Sequence, residues 1–171
     1  MNIIRFIPII FLAFLFSKCT NYKEAEDFVL QFDLYSKSND SIHIYYVETD
    51  SLDFSEKKSI WKKIDGKNSN QMVEIIFPKD VNPKQFRVDF GHNPSLQEIV
   101  INKINFKLNK NEIELKGKEI YHFFRPDDSN TILEKDSGIL KRKFENQKAV
   151  FSIYPKGNKL QKKIEEIYLK R

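Results

Sequence analysis

The amino-acid sequence predicts an all-β protein: an antiparallel β-sandwich with a leader segment before it and a short helix at its end. Three observations carry that expectation. From Phe28 onward apolar residues recur at every second position in run after run, the period of a strand with one face buried. The runs are short, about ten residues apart and separated by polar turn sequences, which suits a sandwich and not alternating strand–helix units. The 171 residues also include 15 Phe and 7 Tyr against only 5 Gly and 6 Pro, so the chain has ample core material and few breakers.

The first element is not a strand. Met1 to Arg5 brings one positive charge, and "FIPIIFLAFLFS" follows from Phe6 to Ser17. An apolar run of about twelve residues is too short for a hydrocarbon core that needs roughly twenty, and its position behind a charged start marks an export signal. The run ends at "FLFSKCT", which holds Cys19, the only cysteine of the chain. This end resembles the lipobox of bacterial lipoproteins, in which a cysteine follows an aliphatic residue and two small ones. Leu15 or Phe16 takes the apolar position and Ser17 a small one, while Lys18 stands where the family prefers a small neutral residue. The resemblance covers about the first twenty residues. It implies that Cys19 is acylated, becomes the mature N-terminus and holds the protein to a membrane of the cell envelope. Two alternatives stay open: a small-x-small cleavage at Ser17-Lys18-Cys19 that frees a soluble product, and an uncut leader that tethers the chain.

The expected organisation is a signal peptide over 1–18, a tether over 19–27 and a β-sandwich domain over 28–171. With one cysteine no intrachain disulfide is possible, so stability rests on the core. Loss of residues 1–18 removes Arg5 and Lys18 and takes the net charge from +5 to +3. That mild balance gives no ground for a nucleic-acid partner. The expected partners are the membrane, through the lipid anchor, and an envelope protein or a glycan.

Within the domain, Phe28, Leu30, Phe32 and Leu34 alternate with Val29, Gln31 and Asp33, a strand with one buried face. "SKSND" is a turn, and "SIHIYYVET" a second strand with Ile42, Ile44 and Tyr46 on one side, expected to pair with the first. The stretch from Asp50 to Asn70 is ambiguous: Asp53 or Ser55 fits the start of a short helical turn, Ile60 and Ile64 fit a strand, and 66–70 is a loop. "QMVEIIFP" places Val73, Ile75 and Phe77 in phase before Pro78 ends it, and "QFRVDFG" turns Phe86, Val88 and Phe90 inward with Arg87 and Asp89 outward. In "EIVINKINFKL" the apolar phase shifts between Ile101 and Ile104, which predicts a bulge near Asn102-Lys103. "NKNE" turns the chain into "IEL". Beyond Gly117 the apolar cluster "EIYHFF" precedes the short strands "TILEK", "GILKRKF" and "KAVFSIYP". In the tail, Leu160, Ile164, Ile167 and Tyr168 have helical spacing.

The central segment "FPKDVNPKQFRVDFGHNPSLQEIVINKINF" resembles galactose-binding-like or jelly-roll sandwich domains, in which an Arg-x-Asp strand ending near glycine leads through a loop into an I-x-I-x-x-I strand. Such modules accompany bacterial surface-polysaccharide proteins and small lipoproteins of Bacteroidota type. The likeness covers about thirty residues and carries no catalytic motif. It implies jelly-roll topology and leaves activity open, with an accessory part in surface-polysaccharide handling as one expectation.

The inventory of reactive motifs is thin: no phosphate loop, dinucleotide fingerprint, HExxH, paired-cysteine metal pattern or G-x-S-x-G. His43, His92 and His122 lie far apart without ligand spacing, so no metal or cofactor is expected. His43 reads as outward and solvated, His122 as packed among aromatics. Asp127 and Asp128 with Ser129 and Asn130 fit a turn after Pro126 better than a calcium loop. The Lys156–Arg171 tail reads as a solvated helix face, with anionic lipid as the alternative. One binding arrangement stands out: Tyr45, Tyr46 and Trp61 as a flat platform for a sugar ring, with Arg87 and Asp89 offering hydrogen bonds to hydroxyls. Its plain counterpart is a half-buried Trp and an Arg–Asp pair on a solvated face. The expected function is a non-enzymatic binding or structural module of the envelope, with glycan binding and a small hydrolase as alternatives.

Overall fold

In the computed structural model, residues 27–145, 147–148 and 150–170 are described. The leader, Cys19 and the tether as far as residue 26 lie outside them. The described residues form β1 (Phe28–Tyr35), β2 (Asp40–Val47), β3 (Ser59–Ile64), β4 (Gln71–Ile76), β5 (Gln85–Phe90) and β6 (Glu98–Leu108). They continue with β7 (Asn111–Lys116), α1 (Ile120–Phe123), β8 (Phe124–Pro126), β9 (Thr131–Glu134), β10 (Ile139–Arg142), β11 (Phe151–Pro155) and α2 (Lys159–Tyr168). Single 3-10 turns precede β3 (Glu56–Lys58) and α1 (Gly117–Glu119).

These strands make an all-β antiparallel sandwich, as expected. One sheet runs β4-β1-β6-β10-β9, with β7 also on β6, and the other runs β3-β2-β5-β11-β8. The period-2 residues fill the space between them. Phe28, Leu30, Phe32 and Leu34 from the first sheet face Ile42, Ile44, Phe86, Val88 and Phe90 from the second, all buried. Aromatic contacts stitch the layers: Phe86 stacks on Phe106 with ring centroids 5.9 Å apart, and Phe28 meets Phe86 at 5.8 Å. Each fully buried side chain of this size contributes about 1.5–3 kcal/mol, so the core alone explains a domain without a disulfide.

β6 is long enough to take two partners along one edge, β10 through Glu98–Val100 and β7 through Lys103–Leu108. On its other edge the register with β1 moves from Asp33↔Lys103 to Leu34↔Ile101. Asn102 is therefore the extra residue of the anticipated bulge, which restores Ile99 and Ile101 to the inner face.

The first two strands do not form a hairpin. β1 pairs with β4 and β6, β2 with β3 and β5, and the turn between them carries the chain from one sheet to the other. Both strands have a buried face, and alternation reports that face without naming the strand alongside. The tail does form a helix. α2 buries Leu160, Ile164 and Ile167 against one end of the sandwich, and Tyr168 packs by Phe28 and donates to the Pro83 carbonyl at 2.9 Å.

Candidate functional site

Because the inner positions of the second sheet are apolar, the opposite parity sends a different set outward. His43 and Tyr45 on β2, Trp61 on β3, Arg87 and Asp89 on β5, Tyr154 on β11 and Arg125 on β8 share one face. The register puts His43 opposite both Trp61 and Asp89, Tyr45 opposite Arg87, and Tyr154 opposite Arg125. Side chains so placed touch across neighbouring strands. Three of the four expected ligand-binding residues, Tyr45, Arg87 and Asp89, thus form one contiguous group, and Trp61 joins it through His43.

Trp61 lies flat. Its indole stacks on the His43 imidazole at 3.8 Å between centroids and 18° between planes. His43 beneath is 1% exposed whereas Trp61 is 50% exposed, so one indole face is packed and the other meets solvent. The His92 ring flanks the indole at 4.4 Å, and Tyr45 contacts His43 from the other side at 4.0 Å. Two such aromatic contacts hold a ring in one orientation, each contributing about 0.5–1.5 kcal/mol beyond area burial.

The row continues through Arg87. Its Nε and Nη2 each donate to the Asp89 carboxylate at 2.8 Å, and the guanidinium lies 4.8 Å from the centroids of both Tyr45 and Tyr154. Burial opposes charge on Arg87, but the bonds to Asp89 outweigh it and leave its pKa above the ordinary value. The Arg125 guanidinium also lies over the Tyr154 ring, 5.2 Å from its centroid. Arg87 and Asp89 do pair with each other. The setting is not an open solvated face, however, since Asp89 is 2% exposed under its neighbours.

The 3-10 turn before β3 adds a carboxylate that sequence reasoning missed. Glu56 accepts a hydrogen bond from the Tyr45 hydroxyl at 3.2 Å, and its other oxygen is 3.5 Å from His43 Nε2. Burial first, then the Asp89 and Glu56 charges, push the Tyr45 phenol up to about 12, so it remains a donor. Burial lowers the pKa of His43 and His92 against the opposing pull of nearby carboxylates, which leaves both imidazoles neutral at neutral pH. The Nε2 atoms of both are buried without a hydrogen-bond partner in the protein.

Other expectations are corrected. Tyr46 points into the core with Ile42 and Ile44 and is no part of the platform. His43 is buried under Trp61 and not solvated, because the indole from the adjacent strand covers it. His122 is exposed, since the one-turn helix α1 directs Ile120 inward and His122 outward. His43 and His92 approach to 5.9 Å between ring centroids. Among the described residues no three His, Cys, Asp or Glu side chains gather as a metal-holding group. Asp127 closes a turn, accepting from the Ser129 backbone at 3.0 Å and its hydroxyl at 2.7 Å. Tyr154 was findable in the sequence: it has the parity opposite to Phe151 and Ile153. His92 sits in a turn and left no such signal. Compared with protein-family models, curated proteins and solved structures, the chain gives no match.

Proposed function

We propose that the protein is a lipid-anchored module of the bacterial cell envelope that binds carbohydrate, without turnover, on the Trp61 face of its second sheet. The observation that carries this reading is the flat, half-exposed indole held from beneath by His43 and flanked by His92, with Tyr45, Arg87 and Asp89 continuing the face beyond His43. A sugar ring offers an apolar C–H face and a rim of hydroxyls. A fixed aromatic surface takes the first, and charged or phenolic groups orient the second. The platform is pre-formed, so little ordering opposes binding. The row from Trp61 on β3 to Arg125 on β8 crosses four interstrand steps, about 19 Å at ~4.8 Å each, which favours a chain of several sugars over a single one.

Binding without turnover fits the carboxylates. Glycoside hydrolysis ordinarily needs two carboxyl groups facing each other across the bond, and both oxygens of Asp89 are engaged by Arg87. The envelope location rests on the leader and Cys19.

A glycan array probed with the intact protein tests the ligand class. Retention of an oligosaccharide, lost at least tenfold in Trp61→Ala with an unchanged melting profile, is the expected result. An array with no retained glycan, or a Trp61→Ala signal equal to wild type, contradicts it. For the anchor, Cys19→Ser is expected to move the protein from the membrane fraction to the soluble one.

A further inference from the structure

On the open side of the sandwich, where edge strand β8 of one sheet meets edge strand β9 of the other, there is a cavity of about 530 Å³. That volume lies within the roughly 300–1,000 Å³ typical of small-molecule sites. Its walls are apolar: Tyr121 and Leu133 pack against the hydrophobic core, and the Tyr121 hydroxyl is tied back to the Gly138 carbonyl at 2.9 Å. Its rim is cationic. Lys118, Arg125, Lys135 and Lys156 come from four different segments to line it, against a single acid, Asp128. Lys118 has a carboxylate partner in Asp136 at 3.4 Å, and the Arg125 guanidinium donates to the Pro126 carbonyl. No ion pair within 4.0 Å engages Lys135 or Lys156 among the described residues.

Four like charges drawn round one apolar hollow repel one another and lower the energy of any anion that enters. Water screens such charges on an open surface, but an apolar wall on one side reduces that screening. We infer that this edge cavity binds a small organic anion, an apolar ring or short chain carrying a phosphate or carboxylate. The apolar body sits against Tyr121 and Leu133 and the anionic group reaches the Lys135–Lys156 rim. The cavity shares Arg125 with the outward face of the second sheet but lies at the opposite end of that face from Trp61, and the inference does not depend on the carbohydrate reading.

Calorimetric titration of the intact protein with phenyl phosphate tests the inference, with benzyl alcohol as the neutral counterpart and inorganic phosphate as the anion without a body. Phenyl phosphate is expected to bind, and both controls to bind at least tenfold more weakly. The Lys135→Ala/Lys156→Ala double variant, altered at two exposed positions, should melt like wild type and lose at least tenfold in affinity. Trp61→Ala should leave phenyl phosphate binding unchanged, which separates this site from the carbohydrate face. Absence of phenyl phosphate binding, equal affinity for benzyl alcohol or for inorganic phosphate, or an unaffected double variant would each overturn the inference.

Discussion

Asp40 and Arg142 grip the same two residues of the β5–β6 turn by opposite groups. The Asp40 carboxylate accepts from the backbone N–H of Gly91 at 2.6 Å and of Asn93 at 2.8 Å. The Arg142 guanidinium donates to the carbonyl of Gly91 and, at 3.1 Å, to that of Asn93, and adds the Leu96 carbonyl at 2.8 Å. Both side chains are buried, so each bond is charge-assisted and poorly screened. Between the two gripped residues lies His92, which is thereby held against Trp61.

Removal of this clamp is expected to act on stability first and on the seating of His92 against Trp61 second. Arg142→Ala, which strands several buried carbonyls, should cost about 3 kcal/mol, and Asp40→Asn about 1–2 kcal/mol. Urea unfolding with an unchanged m-value reads both. Arg142→Lys should rescue little, since one ammonium cannot reach the carbonyls of Gly91, Asn93, Leu96 and Gln147 together, as the fork does.

Gly91 is required by the same turn. Its φ is +79°, and a Cβ there would lie 2.5 Å from the Phe151 ring. Gly91→Ala should therefore combine left-handed strain with overpacking, roughly 2–5 kcal/mol together. Gly157 has φ +61° with nothing within 4 Å of a Cβ, so Gly157→Ala should show the strain alone, about 1–2 kcal/mol. Equal losses at the two sites, measured by thermal melting, would count against the steric account.

The Arg87–Asp89 pair should behave as a unit. Arg87→Ala leaves the buried Asp89 carboxylate without its bidentate partner, and a loss of about 3 kcal/mol is expected. The Arg87→Leu/Asp89→Leu double variant should lose less than the two single changes summed. Strict additivity in a double-mutant cycle would mean that the pair is not coupled.

Two histidines, His43 buried and His92 half-buried, set a pH dependence. Burial depresses the pKa of His43 and His92 below the ordinary 6.5, so the unfolded chain takes up these protons first as pH falls. Their contribution is complete above about pH 6.5 and is lost as pH drops through the folded-state values, with a slope of at most about 1.4 kcal/mol per pH unit for each histidine. His43→Phe should flatten the stability profile just below pH 6.5. A wild-type profile that is already flat there would disprove the assignment.

The strands were legible in the sequence because one buried face leaves a period of two. Phe28–Leu34 and Phe86–Phe90 read this way, and the Asn102 bulge was visible as a break in phase. What alternation cannot encode is which strand lies alongside, so β1 and β2, each with one buried face, belong to different sheets and not to the expected pair. The platform was legible in part for the same reason. Tyr45, Arg87 and Asp89 share an outward parity, whereas Tyr46 was grouped with Tyr45 although its parity sends it inward. His92, Asp40 and Arg142 meet through turns and long-range contacts that no local spacing records.

The terminal helix has a consequence for when this protein folds. Leu160, Ile164 and Ile167 close the core beside Phe28, so the first strand of the domain is sealed by residues made more than 120 positions later. A nascent chain still lacking α2 keeps an open hydrophobic end and stays short of its native state. Such a chain stays unlocked at that end, and readily extended, until α2 has been made.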